Sequence, residues 1–210
     1  MKENKKIILI GYSGHAFVIC DIFEKNKQKV IGYCEFEEKN YNPYQLEFFG
    51  KDSSEEGIAA LKANDYFIAI GSNKIRAKIQ ANINKHGLQA PINCIHPTAV
   101  IGSHVNISKG VLIAANATIN PVVNIGEGAV INTSSIIEHE VNIGKYTFIA
   151  PNTTLLGGVQ VGDYSFIGAN AVVRQNVKIG KNVTIGAGAV ILEDIPDGST
   201  VVGNPQRFIK

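Results

Sequence analysis

The sequence predicts two structural classes in tandem: a small α/β domain with a parallel, Rossmann-like sheet over residues 1–92, then an all-β parallel helix over residues 93–210. Three observations predict this. Apolar strand-like runs alternate with helical stretches as far as Pro91, the hydrophobic period becomes six after Asn93, and that period does not slip before Ile191. A helix needs a period of 3.6 and a simple strand a period of 2. A strict six therefore argues for short strands separated by corners and stacked coil on coil.

In the first part, "KIILIG" (6–11) reads as a strand and "GHAFVICDIFEKN" as a helix burying Phe17, Cys20, Ile22 and Phe23. "KVIGYCE" follows as a second strand, which makes a βαβ start. Further on, "DYFIAIG" is a strand and "NKIRAKIQANINKHG" a helix, with Asn73 as its N-cap and Gly87 as its terminator. This alternation implies a small parallel sheet flanked by helices. The intervening "FEEKNYNPYQLEFFGKDSSEEG" is polar and turn-rich, and its pattern assigns no element. In "GYSGH", Gly11 and Gly14 let the backbone approach a ligand and leave N–H groups at a helix N-terminus, a ready anion site. It is not GxGxxG, since Ala16 and Phe17 follow His15, although the fold leaves a dinucleotide site open. Gly71, Ser72, Asn73 and Arg76 form a second strand-to-helix turn on the same rim, with a supporting role.

In the second part, every sixth residue from Ile95, through Ile101, Ile107 and onward to Ile191, is a branched aliphatic, and the residue four later is small or β-branched. The aliphatic fills the axis. Equivalent positions stacked about 4.8 Å apart make each coil a template for the next, leaving edges only at the ends. The hexapeptide beginning at Ile137 is unusual. Its inward positions are Ile137 and Val141, so Glu138, His139 and Glu140 do not face the core and are available for chemistry. Histidine is the side chain poised to exchange protons near neutral pH, and an adjacent carboxylate can set its tautomer and stabilise the imidazolium. A solvated surface histidine is the bland alternative. Of the others, His96 marks the entry to the β-helix, while His86 and His104 are expected to be exposed.

Composition narrows the partners. With 45% apolar and 18% charged residues the chain can build real cores, and a net charge of +2 supplies no field to attract nucleic acid or an anionic membrane. The apolar run before Gly11 is four residues, too short for a signal segment, and no later run spans a bilayer, so a cytoplasmic location is expected. Cys20, Cys34 and Cys94 are odd in number and form no CxxC pair, which favours reduced thiols over disulfides or zinc.

"IGEGAV", "IGKYTF", "VGDYSF", "IGKNVT" and "IGAGAV" look like the hexapeptide repeats of the left-handed β-helix acyltransferases, and "VGNPQRFIK" is similar to that family's cap. With "IGYSGH" and "FIAIGSNKIR" added, the whole chain resembles the bacterial sugar acetyltransferases of the sialic-acid O-acetyltransferase and bacillosamine N-acetyltransferase group. The resemblance implies a left-handed β-helix, acetyl-CoA as co-substrate without a metal, a nucleotide-linked amino sugar as acceptor in surface-glycan biosynthesis, and a homotrimer binding CoA between subunits. By the family's "EHE" or "EHD" segment, it implies His139 as general base and Glu140 as its partner. It further implies Asn132 against the sugar near the amine, the Gly157 N–H on the thioester carbonyl, and Ala169 and Ala187 bonding the pantetheine arm through main chain. In the first domain it implies that the Gly11–Gly14 loop holds the pyrophosphate, with Ser13 and His15 as side-chain partners. Glu35 falls near where relatives place an aspartate that reads the base. One departure stands out: relatives carry a histidine in a "VHIA"-like segment where this chain has "TFIA" with Phe148, which bears on acyl binding.

Transfer of acetyl to an amine suits this set, because an amino sugar arrives mostly as ammonium and only its neutral form attacks a thioester. O-acetylation of sialic acid or a related sugar is the alternative, since one base serves both. A γ-class carbonic anhydrase, also built on hexapeptides, needs three ligand histidines, and no metal site is evident. An ice-binding β-helix would want threonine rows on one face, and Thr118, Thr133, Thr147, Thr153, Thr154 and Thr184 are not expected to form one. A nucleotidyltransferase would want a GxGTR-like loop, which the first ninety residues lack.

Overall fold

The computed structural model describes residues 6–209, so residues 1–5, ahead of the short apolar run, lie outside them, as does Lys210. The chain divides into two compact units, Met1–Pro97 and Thr98–Lys210.

The first unit is a four-stranded parallel sheet with three helices. In chain order its elements are β1 (Ile7–Ile10), α1 (Gly14–Lys25), β2 (Val30–Cys34), β3 (Glu47–Phe48), α2 (Glu55–Ala63), β4 (Asp65–Ile68) and α3 (Asn73–Lys85). The strands lie in the order β3-β2-β1-β4, all parallel. β1 is buried at every position, as expected of an apolar run sandwiched between helices. The chain leaves β1 toward β2 on one side, while β4 pairs on the other, so a topological switch point lies beyond the carboxyl ends of β1 and β4, where ligands bind in such sheets.

Three expectations need correction. The unassigned polar stretch contains β3 and the start of α2, whose N-cap Ser54 accepts a 3.1 Å hydrogen bond from the Gly57 N–H. Phe17 is only half-buried: the sheet-facing side of α1 is Ala16, Ile19, Cys20, Ile22 and Phe23, and Phe17 packs instead among Tyr12, Tyr41 and Tyr44. The N-cap of α3 is Ser72 rather than Asn73, whose side-chain oxygen instead accepts from Arg76. Gly87 does end α3, just past the C-cap His86, at φ +67° with its N–H bonded to the Asn84 carbonyl.

The second unit is a left-handed parallel β-helix. Two-residue strands pair with register n to n+18, as Ile131 with Ile149, so three hexapeptides close one coil. One sheet carries Asn124–Ile125 and Asn142–Ile143, a second Val130–Ile131 and Phe148–Ile149, and a third Ile136–Ile137 and Thr154–Leu155. The second residue of each strand points inward. From Ile113 to Ile191 these are buried, but Ile101, in the first coil with no coil beneath it, is 38% exposed. The residue four later is buried as well, and where it is Ser135, Thr147, Thr153 or Ser165 its hydroxyl donates to a backbone carbonyl of the next coil. Thr118 and Thr154 lie on one outward face but Ile136 separates them, Thr184 lies on another sheet beside Phe166, and Thr147 and Thr153 point inward, so these threonines form no continuous row.

The corners have their own six-residue rule, which the hydrophobic count does not reveal. Non-glycine residues with positive φ include His104, Asn116, Val122, Ser134, Glu140, Tyr146, Asn152, Tyr164, Asn170, Asn176 and Asn182, and Gly110, Gly128, Gly158 and Gly188 fill the same register. Left-handed backbone at a tight corner explains why asparagine and glycine recur there. At the far end Thr200–Val202 pairs with Thr184–Ile185 and turns back into antiparallel Arg207–Ile209, while Gln206 Oε1 accepts from the Leu192 and Glu193 N–H groups and so covers the last coil.

Candidate active site

In the β-helix, coil closure determines which residues share a corner. The Glu140 N–H bonds the Pro121 carbonyl, the Gly158 N–H bonds the His139 carbonyl and the Asn176 N–H bonds the Gly157 carbonyl. Pro121, His139, Gly157 and Gln175 therefore stack on successive coils. His139 stands out from this corner with its side chain 61% exposed, and its Nδ1 lies 3.0 Å from Glu140 Oε2. Glu140 adopts φ +62°, and this left-handed residue swings its carboxylate beside the imidazole of its chain neighbour. The contact can hold one tautomer, with Nδ1 toward the carboxylate and Nε2 outward. Gly157 lies against the ring: a β-carbon built there would fall 2.6 Å from His139 Cε1 and 2.7 Å from Nε2. Among the described residues nothing accepts from the Gly157 N–H, so it is available to an incoming oxygen.

A second corner stacks Thr133, Pro151, Ala169 and Ala187, linked by Asn152 N–H to Thr133 carbonyl, Asn170 N–H to Pro151 carbonyl and Gly188 N–H to Ala169 carbonyl. Within one subunit Ala169 and Ala187 are thus brought together, but on a different corner from His139. Asn132 is beside this second corner, and its side-chain oxygen accepts from the Thr133 N–H at 2.8 Å and from the Thr133 hydroxyl at 3.3 Å, which makes it a turn former here. Phe148 stacks on Phe166 with ring centroids 5.4 Å apart, an apolar surface where relatives were expected to carry a histidine.

In the first unit the residues expected to hold the nucleotide do gather at the switch point. Gly11, at φ +93°, ends β1 so close to β4 that a β-carbon would fall 2.6 Å from Ile70 Cγ1. Its N–H is already bonded to the Cys34 carbonyl. Packing between the two loops therefore demands glycine at this position in its own right, whatever ligand the loop meets. Gly14 differs, since a β-carbon there would meet nothing within 4 Å, and Ser13, the N-cap of α1, makes no side-chain cap hydrogen bond. Glu35 ties the rim together, one oxygen accepting from the Tyr12 N–H at 3.2 Å and the other from the Phe36 N–H at 2.9 Å. Behind the second loop, buried Arg76 donates to the carbonyls of Ile70 and Gly71 and to Asn73 Oδ1. Sequence reasoning gave Arg76 only a supporting place, yet it fastens that turn. Burial, reinforced by the Arg76 charge, lowers His15 to about 4, so at neutral pH it is an uncharged imidazole.

The thiols of Cys20, Cys34 and Cys94 are free and buried, and burial pushes Cys20 and Cys34 up to about 12. Among the described residues no group of three or more His, Cys, Asp or Glu side chains is placed to hold a metal ion, and no helix is long and apolar enough to cross a membrane.

Residues 6–83 match the PglD N-terminal domain and residues 158–193 match six repeats of the bacterial transferase hexapeptide. Across nearly its whole length the chain is similar to perosamine N-acetyltransferase, PerB, from Caulobacter crescentus in complex with CoA and GDP-perosamine. The identity is 29%, the cover 98% of this chain and 97% of that one, and the TM-score 0.89. A histidine-to-asparagine variant of that enzyme superposes with a TM-score of 0.92 at the same identity and cover. The acetyltransferase domain of PglB from Neisseria gonorrhoeae FA1090, in complex with acetyl coenzyme A, is 29% identical over 99% of this chain and 100% of that one, with a TM-score of 0.88. The fold and these likenesses define the class: the chain is a hexapeptide-repeat acetyltransferase. More particularly, it is a sugar acetyltransferase with a PglD-type domain ahead of its left-handed β-helix.

Proposed function

We propose that the protein transfers acetyl from acetyl-CoA to the amino group of a nucleotide-linked amino sugar, with His139 as general base and direct attack of the amine on the thioester. The observation that carries this reading is the His139–Glu140 pair, exposed at a β-helix corner and 3.0 Å apart. The full-length likeness to an enzyme found with CoA and GDP-perosamine supports the choice of co-substrate and acceptor. In this scheme His139 Nε2 takes a proton from the acceptor amine as the C–N bond forms. The carbonyl oxygen becomes an oxyanion that the unbonded Gly157 N–H can receive. Collapse breaks the C–S bond, and the departing sulfur takes up the proton carried by the imidazolium. Glu140 holds the ring and stabilises that cation.

In the same reading residues 1–92, which fall within the first unit, bind the nucleotide, and residues 93–210 form the acyltransferase domain. The pyrophosphate sits at the N-terminus of α1, against Ser13, Gly14 and neutral His15, while Gly11 shapes that loop from behind. Glu35, Gly71 and Asn73 complete the rim at the base and ribose end, and Asn132 lies toward the sugar. Ala169 and Ala187 hold the pantetheine arm of CoA. Because they occupy a different corner from His139, one subunit does not unite them with the base, which favours a homotrimer with CoA between neighbouring subunits. A cytoplasmic role in surface-glycan biosynthesis fits such an acceptor.

Turnover of one nucleotide sugar in amino and hydroxy versions tests the reading. We expect acetyl-CoA-dependent product from the amine alone; preference for the alcohol would replace N-acetylation with O-acetylation, and no turnover of either would remove the reading.

A further inference from the structure

Three of the four side-chain positions in the corner stack that carries the base are filled: Pro121 precedes His139 by one coil and Gln175 follows Gly157 by one coil. The position directly after the histidine is empty, and the ring uses the space. A β-carbon at Gly157 would fall 2.6 Å from Cε1, 2.7 Å from Nε2 and 3.3 Å from Nδ1, so it would strike the edge that carries the outward nitrogen. Gly157 does not need to be glycine for its backbone. Its φ is not in the left-handed region, unlike that of Gly158 beside it at +71°. The clash involves only the end of a side chain that can rotate, so alanine at this position would move the ring and leave the coil in place.

We propose that Gly157 is a positioning residue whose missing side chain forms the seat of the His139 imidazole, holding Nε2 outward while Nδ1 faces Glu140. This inference rests on His139 being the base, and it differs from an oxyanion role for the Gly157 N–H, which alanine would keep. The seat uses the absence of a side chain; the oxyanion role uses the backbone.

Gly157→Ala separates the two. The variant should melt within a few degrees of the wild type, and the His139 ring resonances should shift in a ¹H–¹³C spectrum of the full-length protein. Its kcat should fall on the order of 10- to 100-fold, the usual consequence of displacing a catalytic group by about an ångström. In a His139→Ala background the same substitution should change kcat less than about twofold, because two groups acting as one unit are not additive. Unshifted His139 resonances would overturn the seat, as would a loss of the same size in both backgrounds. Shifted resonances with unchanged kcat would support the seat and remove His139 as the base, so the two readings fail separately.

Discussion

His139 is exposed and bonded through one ring nitrogen to its neighbour, so its removal tests chemistry with little effect on packing. His139→Ala is expected to lower kcat by roughly 10²- to 10⁴-fold with the circular dichroism spectrum unchanged. Glu140→Ala should cost less, because it loosens the ring without removing it; steady-state kinetics on both variants checks the order. His15 carries a different signature. Burial and Arg76 hold it near 4, whereas in the unfolded chain it returns to about 6.5. Between those values the unfolded chain binds more protons, so His15 makes the fold lose stability as pH falls from about 6.5 toward 4, with no effect above that window. The melting temperature of the wild type should therefore drop more between pH 7 and pH 5 than that of His15→Asn. Val122 is strained in another way: a β-branched, 49% exposed residue at φ +67°. Val122→Asn should raise stability by about 1 kcal/mol, seen as a melting temperature a few degrees higher, because asparagine tolerates left-handed backbone.

At the level of elements, the two glycines of the first loop part company. Gly11→Ala combines a φ of +93° with a β-carbon 2.6 Å from Ile70, and should destabilise the first unit by about 1–3 kcal/mol. Gly14→Ala meets no protein atom and should leave stability intact. If the pyrophosphate approaches that backbone, it should raise KM for the nucleotide sugar and leave KM for acetyl-CoA nearly unchanged. Equal effects on both KM values would remove the loop from the nucleotide site. The strands of this unit could be read from apolar runs, but α2 and β3 could not. "EEGIAALKA" is short and begins inside a polar stretch, and β3 has only two residues, so neither offers enough periods to count. Phe17 misled for a related reason. Its spacing suits a buried face, but it packs on Tyr12 of the preceding turn and on Tyr41 and Tyr44 of the loop after β2, whose path no local pattern discloses.

For the whole molecule, stability along the β-helix should depend on coil number. Ile149 lies between coils on both sides and is fully buried, so Ile149→Ala should cost about 2–5 kcal/mol. Ile101, equivalent in sequence, is 38% exposed, and Ile101→Ala should cost well under half as much by denaturant unfolding. Light scattering is expected to report about three times the 22.6 kDa subunit mass; an active monomer would remove the shared CoA site. By itself the sequence determined the β-helix, because a six-residue period fits neither a helix nor a flat strand but does fit short strands stacked coil on coil with the aliphatics inside. It also marked His139 and Glu140 as outside the core, since Ile137 and Val141 already occupy the inward positions. The tertiary structure alone decided what surrounds them. Residues eighteen apart become neighbours only when the coil closes, and closure puts Gly157 against the imidazole and Ala169 on another corner. In the first unit, likewise, parallel pairing of β1 with β4 brought Gly11 to Ile70 and Arg76 near His15. Such contacts depend on long-range register, which a reading of local periodicity does not contain.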